Sequence, residues 1–181
     1  MKMIEKKNEA NTIKEVLSWV WTIFLAFLIA AFIRTYIFEL VDVPTGSMLD
    51  TIQLNDKFIV NKFIYRFEPI KRGDIVVFKY PDNPSVNYVK RVIGVGGDVI
   101  DIKDGKLYIN GELKYEPYIR EPMVGNFGPY KVPKDHFFVM GDNRNDSSDS
   151  RYWVHKYVSR EAIIGKVVFR ILPLNRIGPI K

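Results

Sequence analysis

The hydrophobic pattern divides this chain into two unequal parts. Residues 16–33 read VLSWVWTIFLAFLIAAFI, eighteen positions without a charge. As a helix rising about 1.5 Å per residue, that run spans roughly 27 Å, close to a bilayer core. Trp19 and Trp21 lie toward one end, and Arg34, Tyr36 and Phe38 lie at the other. Aromatic rings and a snorkelling arginine suit the two water interfaces. The apolar core of a cleaved secretory signal is shorter, about 7–15 residues, and no clean Ala-x-Ala follows here. A helix buried in a soluble core is the other reading. The length and flanks favour a tail over 1–15, an anchor over 16–38 and a separate domain over 39–181.

Beyond residue 40 the runs shorten to strand length. Residues 57–63 (KFIVNKF), 74–80 (DIVVFKY), 88–93, 98–102, 136–140 (HFFVM) and 165–172 (GKVVFRIL) are rich in Val, Ile and Phe. Asn110-Gly111, between KLYI and ELKY, is a two-residue hairpin signal. Residues 103–135 hold more glycine, proline and charge and read as an excursion with its own hairpin. Residues 159–164 fit one helical turn. The predicted class is mostly β, with one N-terminal transmembrane helix.

Composition then narrows the chemistry. A hydrophobic share of 47% and a charged share of 27% are globular values. The net charge is +6 and is spread along the chain. A nucleic-acid footprint would need a stripe or patch, so no nucleic-acid partner is expected. Attraction to anionic lipid heads accounts for the excess more simply. The short tail carries Lys2, Lys6, Lys7 and Lys14. The domain after the anchor is too long for its charges to block translocation. The tail is therefore placed in the cytoplasm, and the domain on the extracytoplasmic side of the cell membrane. The chain has no cysteine, which excludes cysteine proteases, thiolate zinc sites and disulfides. His136 and His155 match no metal-ligand spacing. No metal or cofactor is expected, and the chain is expected to act as a monomer.

Two residues carry the candidate chemistry. Ser47 follows a turn glycine in Pro44-Thr45-Gly46-Ser47-Met48, which suggests an exposed nucleophile. Lys90 sits in the strand-like run Tyr88-Val89-Lys90-Arg91-Val92-Ile93. Strand alternation places Lys90 on one face with Tyr88 and Val92, and Arg91 on the opposite, solvated face. A free lysine has a pKa near ~10.4, so fewer than about one in a thousand is neutral at pH 7. Desolvation among apolar neighbours can lower that value enough to make a base. Either residue alone occurs in almost any chain.

Four segments in order add specificity. They are Pro44-Thr45-Gly46-Ser47-Met48, the strand over 56–63, the run from Arg72-Gly73-Asp74 through Tyr88-Val89-Lys90-Arg91 to Gly97-Asp98, and Gly141-Asp142-Asn143-Arg144-Asn145-Asp146-Ser147-Ser148-Asp149-Ser150-Arg151. Together they closely resemble the type I signal peptidases of bacteria, in the short single-anchor form of Gram-positive species. The likeness covers about residues 16–170. Asp50, Asn55, Gly96 and Thr45 depart from the common pattern. None of these departures removes a reacting group.

The resemblance implies coiled antiparallel sheets and a serine endopeptidase that cuts signal peptides from preproteins after small residues. It makes Ser47 the nucleophile and Lys90 the general base. It places the oxyanion at the Ser47 N–H and the Thr45 hydroxyl, has Ser147 bond and orient Lys90, and pairs Asp149 with Arg151. Val41, Val43, Pro44, Met48, Ile52, Tyr88 and Val89 correspond to substrate-pocket positions. Substrate backbone would add as a strand beside residues 41–44 and 87–89. Ser47 lies 13 residues past Arg34, a leash of roughly 45 Å at most, so the site should sit near the membrane surface. The rivals are a self-cleaving repressor, an inactive paralogue, and a non-catalytic anchored β domain that binds cell-envelope polymers.

Overall fold

The computed structural model describes residues 2–180, with side chains from residue 14 onward. The chain forms two compact units that meet between Phe38 and Glu39. The first is one helix, α1 (Lys2–Tyr36), whose stretch Lys14–Tyr36 is long and apolar enough to cross a membrane. Its large apolar side chains, from Val16 to Ile33, are all exposed within the chain. A helix apolar on every side needs a non-aqueous surround, and its backbone groups are satisfied internally.

Among the described residues, twelve strands in two sheets follow the helix, the first of them starting at Phe38. The larger sheet runs β1 (Phe38–Asp42), β2 (Lys57–Asn61), β11 (Ile163–Leu172), β3 (Ile75–Tyr80), β4 (Asn83–Val95), β9 (His136–Met140) and β10 (Val158–Ser159). β12 (Gly178–Pro179) pairs beside β11. The smaller sheet runs β7 (Glu112–Leu113), β6 (Lys106–Ile109), β5 (Val99–Lys103) and β8 (Phe127–Lys131). Each pairing with a described register is antiparallel. A 3-10 turn at Arg160–Ala162 occupies the place of the expected helical turn.

Three apolar clusters explain why β3 and β9 read as near-continuous apolar runs. On β3, Val76 and Phe78 enter one cluster, while Ile75 and Val77 enter another. On β9, Phe137 and Val139 face the first cluster, and Phe138 and Met140 face the third body of core around Ile100 and Ile102. Strands covered on both faces lose the usual apolar–polar alternation. The Asn110-Gly111 turn closes β6 onto β7 with both residues at positive φ, 55° and 82°, as a type I′ turn requires. The smaller sheet begins at Val99, earlier than the expected excursion over 103–135. Ile100 and Ile102 belong to its core, whereas the shift in composition starts only after them.

Residues 114–124 leave β7 without regular structure and strap the smaller sheet to the loop over 141–151. Arg144 lies in that loop and is fully buried. Its guanidinium donates to both oxygens of Glu116, at 2.7 and 2.6 Å. Nε of Arg144 donates to the Gly141 carbonyl at 3.0 Å. Asn145 donates to Glu121 and to the Pro122 carbonyl, and accepts from the Val124 N–H. Removing one member of a buried pair leaves the other charge uncompensated, at a cost of about 3–5 kcal/mol. Glu116→Ala is therefore expected to destabilise the domain by about that amount, and Glu116→Gln by less. Denaturant unfolding of the detergent-solubilised full chain measures both. Wild-type stability of the alanine variant would show that Arg144 finds another partner.

Candidate active site

Ser47 and Lys90 meet. β1 delivers the chain to the turn at Pro44–Gly46, and Lys90 projects from the middle of β4, opposite Val76 of β3. The Lys90 Nζ donates to Ser47 Oγ at 2.5 Å. Both residues are buried, Ser47 to 8% exposure and Lys90 to 4%. The expectation of an exposed serine is corrected: the turn folds back beneath the 141–147 loop. The Asn143 N–H donates to the Ser47 carbonyl at 3.1 Å, and its side-chain amide donates to the Gly46 carbonyl at 3.0 Å. Thr51 ties the far end of the turn to Asp142 at 2.6 Å.

Burial pushes the Lys90 amine down from the ordinary lysine value to about 8. Asp149 and Asp142 oppose that shift, Arg151 assists it, and Asp146 opposes it weakly. The Nζ stands 5.5 Å from the centre of the Tyr88 ring, on the face that strand alternation assigns to both. With a pKa near 8, about a tenth of the molecules carry a neutral amine at pH 7.

Asp149 organises the loop behind the lysine. It accepts from the Ser147 hydroxyl at 2.7 Å and from the Gly141 N–H at 3.1 Å. Arg151 grips it through Nε and Nη2, both at 2.8 Å. The expected Asp149–Arg151 pair is present and fully buried. Ser147 differs from expectation: its proton goes to Asp149, and no hydrogen bond joins it to Lys90 among the described residues. A carboxylate two residues away is the stronger acceptor. A methyl group on Gly141 would lie 2.3 Å from both Ser147 Oγ and the Ser47 carbonyl oxygen. Only glycine lets the two serine loops close on one another.

Arg91 also departs from expectation. It lies on the face of β4 opposite Lys90, but it is 3% exposed rather than solvated. It donates to both oxygens of Asp142, at 2.8 and 2.7 Å, and lies 4.0 Å over the Tyr118 ring of the strap. The strap covers the strand face that alternation alone leaves to solvent.

A cleft of about 320 Å³ opens onto Ser47 and Lys90. Val41, Val43, Pro44, Tyr88 and Val89 line it as expected, beside Thr45. Met48 and Ile52 do not. They are fully buried in the core with Phe58 and Val60, because a backbone bond from Ile52 N–H to the Met48 carbonyl curls the segment inward. Asn87 lines it within the expected 87–89 segment, and Val77, Val86, Asp146 and Ser148 line it without having been expected there. Val86 could have been found by extending the strand outward from Tyr88. Thr45 Oγ1 stands 3.3 Å from Ser47 Oγ. Both histidines lie outside the lining: His136 bonds the Lys134 carbonyl, and His155 bonds Asp82. Among the described residues, no three His, Asp or Glu side chains converge as a metal would require.

The chain therefore combines a helix of membrane-spanning length with a β domain whose cleft holds a serine beside a buried lysine. A family model described as signal peptidase, peptidase S26, matches residues 16–172. A signal peptidase I from Leptolyngbya laminosa is 45% identical over 164 residues, 87% of this chain and 80% of that protein. A signal peptidase I P from Bacillus subtilis subsp. natto is 37% identical over 183 residues, 96% of each chain. A crystal structure of a signal peptidase I from Enterococcus faecalis V583 aligns with a TM-score of 0.49 and 31% identity, covering 55% of this chain and 97% of that one. The chain belongs to the signal peptidase family, peptidase S26, and is a serine endopeptidase.

The Gly141 contact carries a direct consequence. Gly141→Ala is expected to lower kcat/KM by about 10²-fold or more, because displacements near 1 Å in an active site cost that much. A preprotein-cleavage assay, with circular dichroism to check folding, tests this. Wild-type activity would mean that the loop yields without moving Ser47.

Proposed function

We propose that this chain removes signal peptides from secretory preproteins, with Ser47 as nucleophile and Lys90 as general base. The observation that carries the reading is the 2.5 Å contact between Lys90 Nζ and Ser47 Oγ inside a buried cleft. Once neutral, the amine accepts the Oγ proton as the oxygen attacks the scissile carbonyl. The Ser47 N–H and the Thr45 hydroxyl receive the negative charge that forms on the carbonyl oxygen. The protonated lysine then gives its proton to the leaving nitrogen, and the C–N bond breaks. Water, deprotonated by the same amine, hydrolyses the acyl-enzyme and restores Ser47. Asp149, fixed by Arg151, holds the Ser147 hydroxyl and the Gly141 N–H of the loop that packs on Ser47.

The walls support cleavage after small residues. Val41, Val43, Tyr88 and Val89 make a shallow apolar surface beside Ser47. β1 ends its sheet, and on β4 the pairing with β9 starts only at Arg91. Residues 86–89 therefore have one edge free. An extended substrate can add its backbone there, with alternate side chains on the apolar walls. The basic tail supports a cytoplasmic N-terminus, which puts the domain on the side where preproteins emerge.

Full-length protein in detergent with a preprotein substrate tests the dyad. kcat/KM should rise with pH through an apparent pKa near 8, the value of the buried amine. Deprotonation creates the base, so activity is gained as pH rises. Lys90→Arg should be inactive, since arginine cannot lose its proton in a protein. A limb near ~6.5 that vanishes with His136→Ala or His155→Ala would transfer the base role to histidine. A polymer-binding domain would be indifferent to Ser47→Ala.

Thr45→Val should lower kcat by about 10²-fold or more with little change in KM, because the oxyanion develops fully only in the transition state. Thr45→Ser keeps the donor and should retain activity. Equal rates for valine and threonine would leave the oxyanion to the backbone alone.

A further inference from the structure

The loop over 141–151 contains three aspartates, and two are neutralised. Arg91 holds Asp142, and Arg151 holds Asp149, each through two nitrogens. Asp146 is exposed, lines the cleft with Ser47 and Lys90, and forms no ion pair among the described residues. Its N–H donates to the Asn143 carbonyl, which closes a turn and aims the residue outward. Its Oδ2 lies 3.9 Å from where a Cβ on Gly46 would stand, so it flanks the residue just before Ser47. The other acid in the lining, Asp42, is paired with Lys57 at 3.6 Å. A negative charge without an ion-pair partner among the described residues therefore lines the cleft beside Gly46.

Asp146 stands beside Gly46, the residue that precedes the nucleophile. Val41, Val43, Tyr88 and Val89 hold the side of the substrate that becomes the acyl group, on the reading proposed above. Asp146 and Ser148 are the lining residues that the 141–151 loop contributes, and Asp146 adjoins Gly46. We infer that Asp146 is a specificity-determining residue for the leaving side, favouring basic over acidic residues just after the scissile bond. The charge acts across a solvated rim, so its effect is modest and screened by salt. It separates substrates by the sign of their charge and leaves the selection of small residues to the other walls.

The test uses the full chain in detergent and two peptides that share one cleavable signal sequence. They differ only in Lys or Glu at the second position after the cut. Wild type is expected to prefer the lysine peptide by about two- to fivefold in kcat/KM at low salt. Asp146→Asn should bring the ratio near one, Asp146→Lys should invert it, and high salt should flatten all three ratios. Taking a ratio cancels any effect of Asp146 on Lys90, because both peptides meet the same catalytic groups. Equal cleavage of the two peptides by wild type, or a preference unchanged in both variants, would overturn the assignment of Asp146 alone. Failure of wild type to cut either peptide at the signal junction would overturn the peptidase reading, and this inference with it.

Discussion

The site depends on keeping a lysine buried without giving it a carboxylate. Burial lowers the Lys90 pKa, and an adjacent free aspartate would raise it again. Asp142 and Asp149 both stand close enough to raise it. Each is instead claimed by a buried arginine, Arg91 or Arg151, through a pair of charge-assisted bonds. The arginines spend the negative charge that would otherwise fix Lys90 as an ammonium ion. What remains beside Nζ is the Ser47 hydroxyl and the Tyr88 ring. Burial is thus the largest influence on the amine, and a value near 8 is reached with Asp149, Asp142 and, more weakly, Asp146 opposing it.

The same residues set the position of the serine. Asp142 holds Thr51, and Asn143 holds the carbonyls of Gly46 and Ser47. The Ser47 turn and the lysine surroundings are therefore one assembly, clamped by a single loop. That loop is in turn held by the strap from the smaller sheet, through the contacts of Arg144 with Glu116 and with the Tyr118 ring. A sheet that contributes nothing to the cleft lining thereby limits the motion of the groups that do line it. This gives the excursion a mechanical role that its composition does not suggest.

Local patterns made much of this legible. The anchor helix, the Asn110-Gly111 hairpin and the strand bearing Lys90 follow from periodicity and turn chemistry. Alternation put Arg91 opposite Lys90 correctly, but it could not say what covers that face. The strap that covers it has no period of its own. Met48 and Ile52 suit a pocket or a core equally by residue type, and only the inward curl of the 48–52 segment decides between them. Ser147 was expected to serve Lys90, yet Asp149 competes for its proton from two positions away. Each miss involves a contact made by an irregular segment, where sequence period carries no information.

The depth of Ser47 adds a constraint of its own. At 8% exposure, with its carbonyl bonded by the Asn143 N–H of the loop, Ser47 does not stand out to meet a peptide bond held in a folded surface. A bond must come to it in an extended segment thin enough to enter the cleft. β1 and the outer half of β4 offer such a segment free backbone edges, and their apolar side chains leave little room for bulk. An unfolded stretch with small residues meets both conditions at once. On the proposed reading, selectivity for such stretches comes from the shape of the cleft, and the inferred role of Asp146 is to refine it by charge.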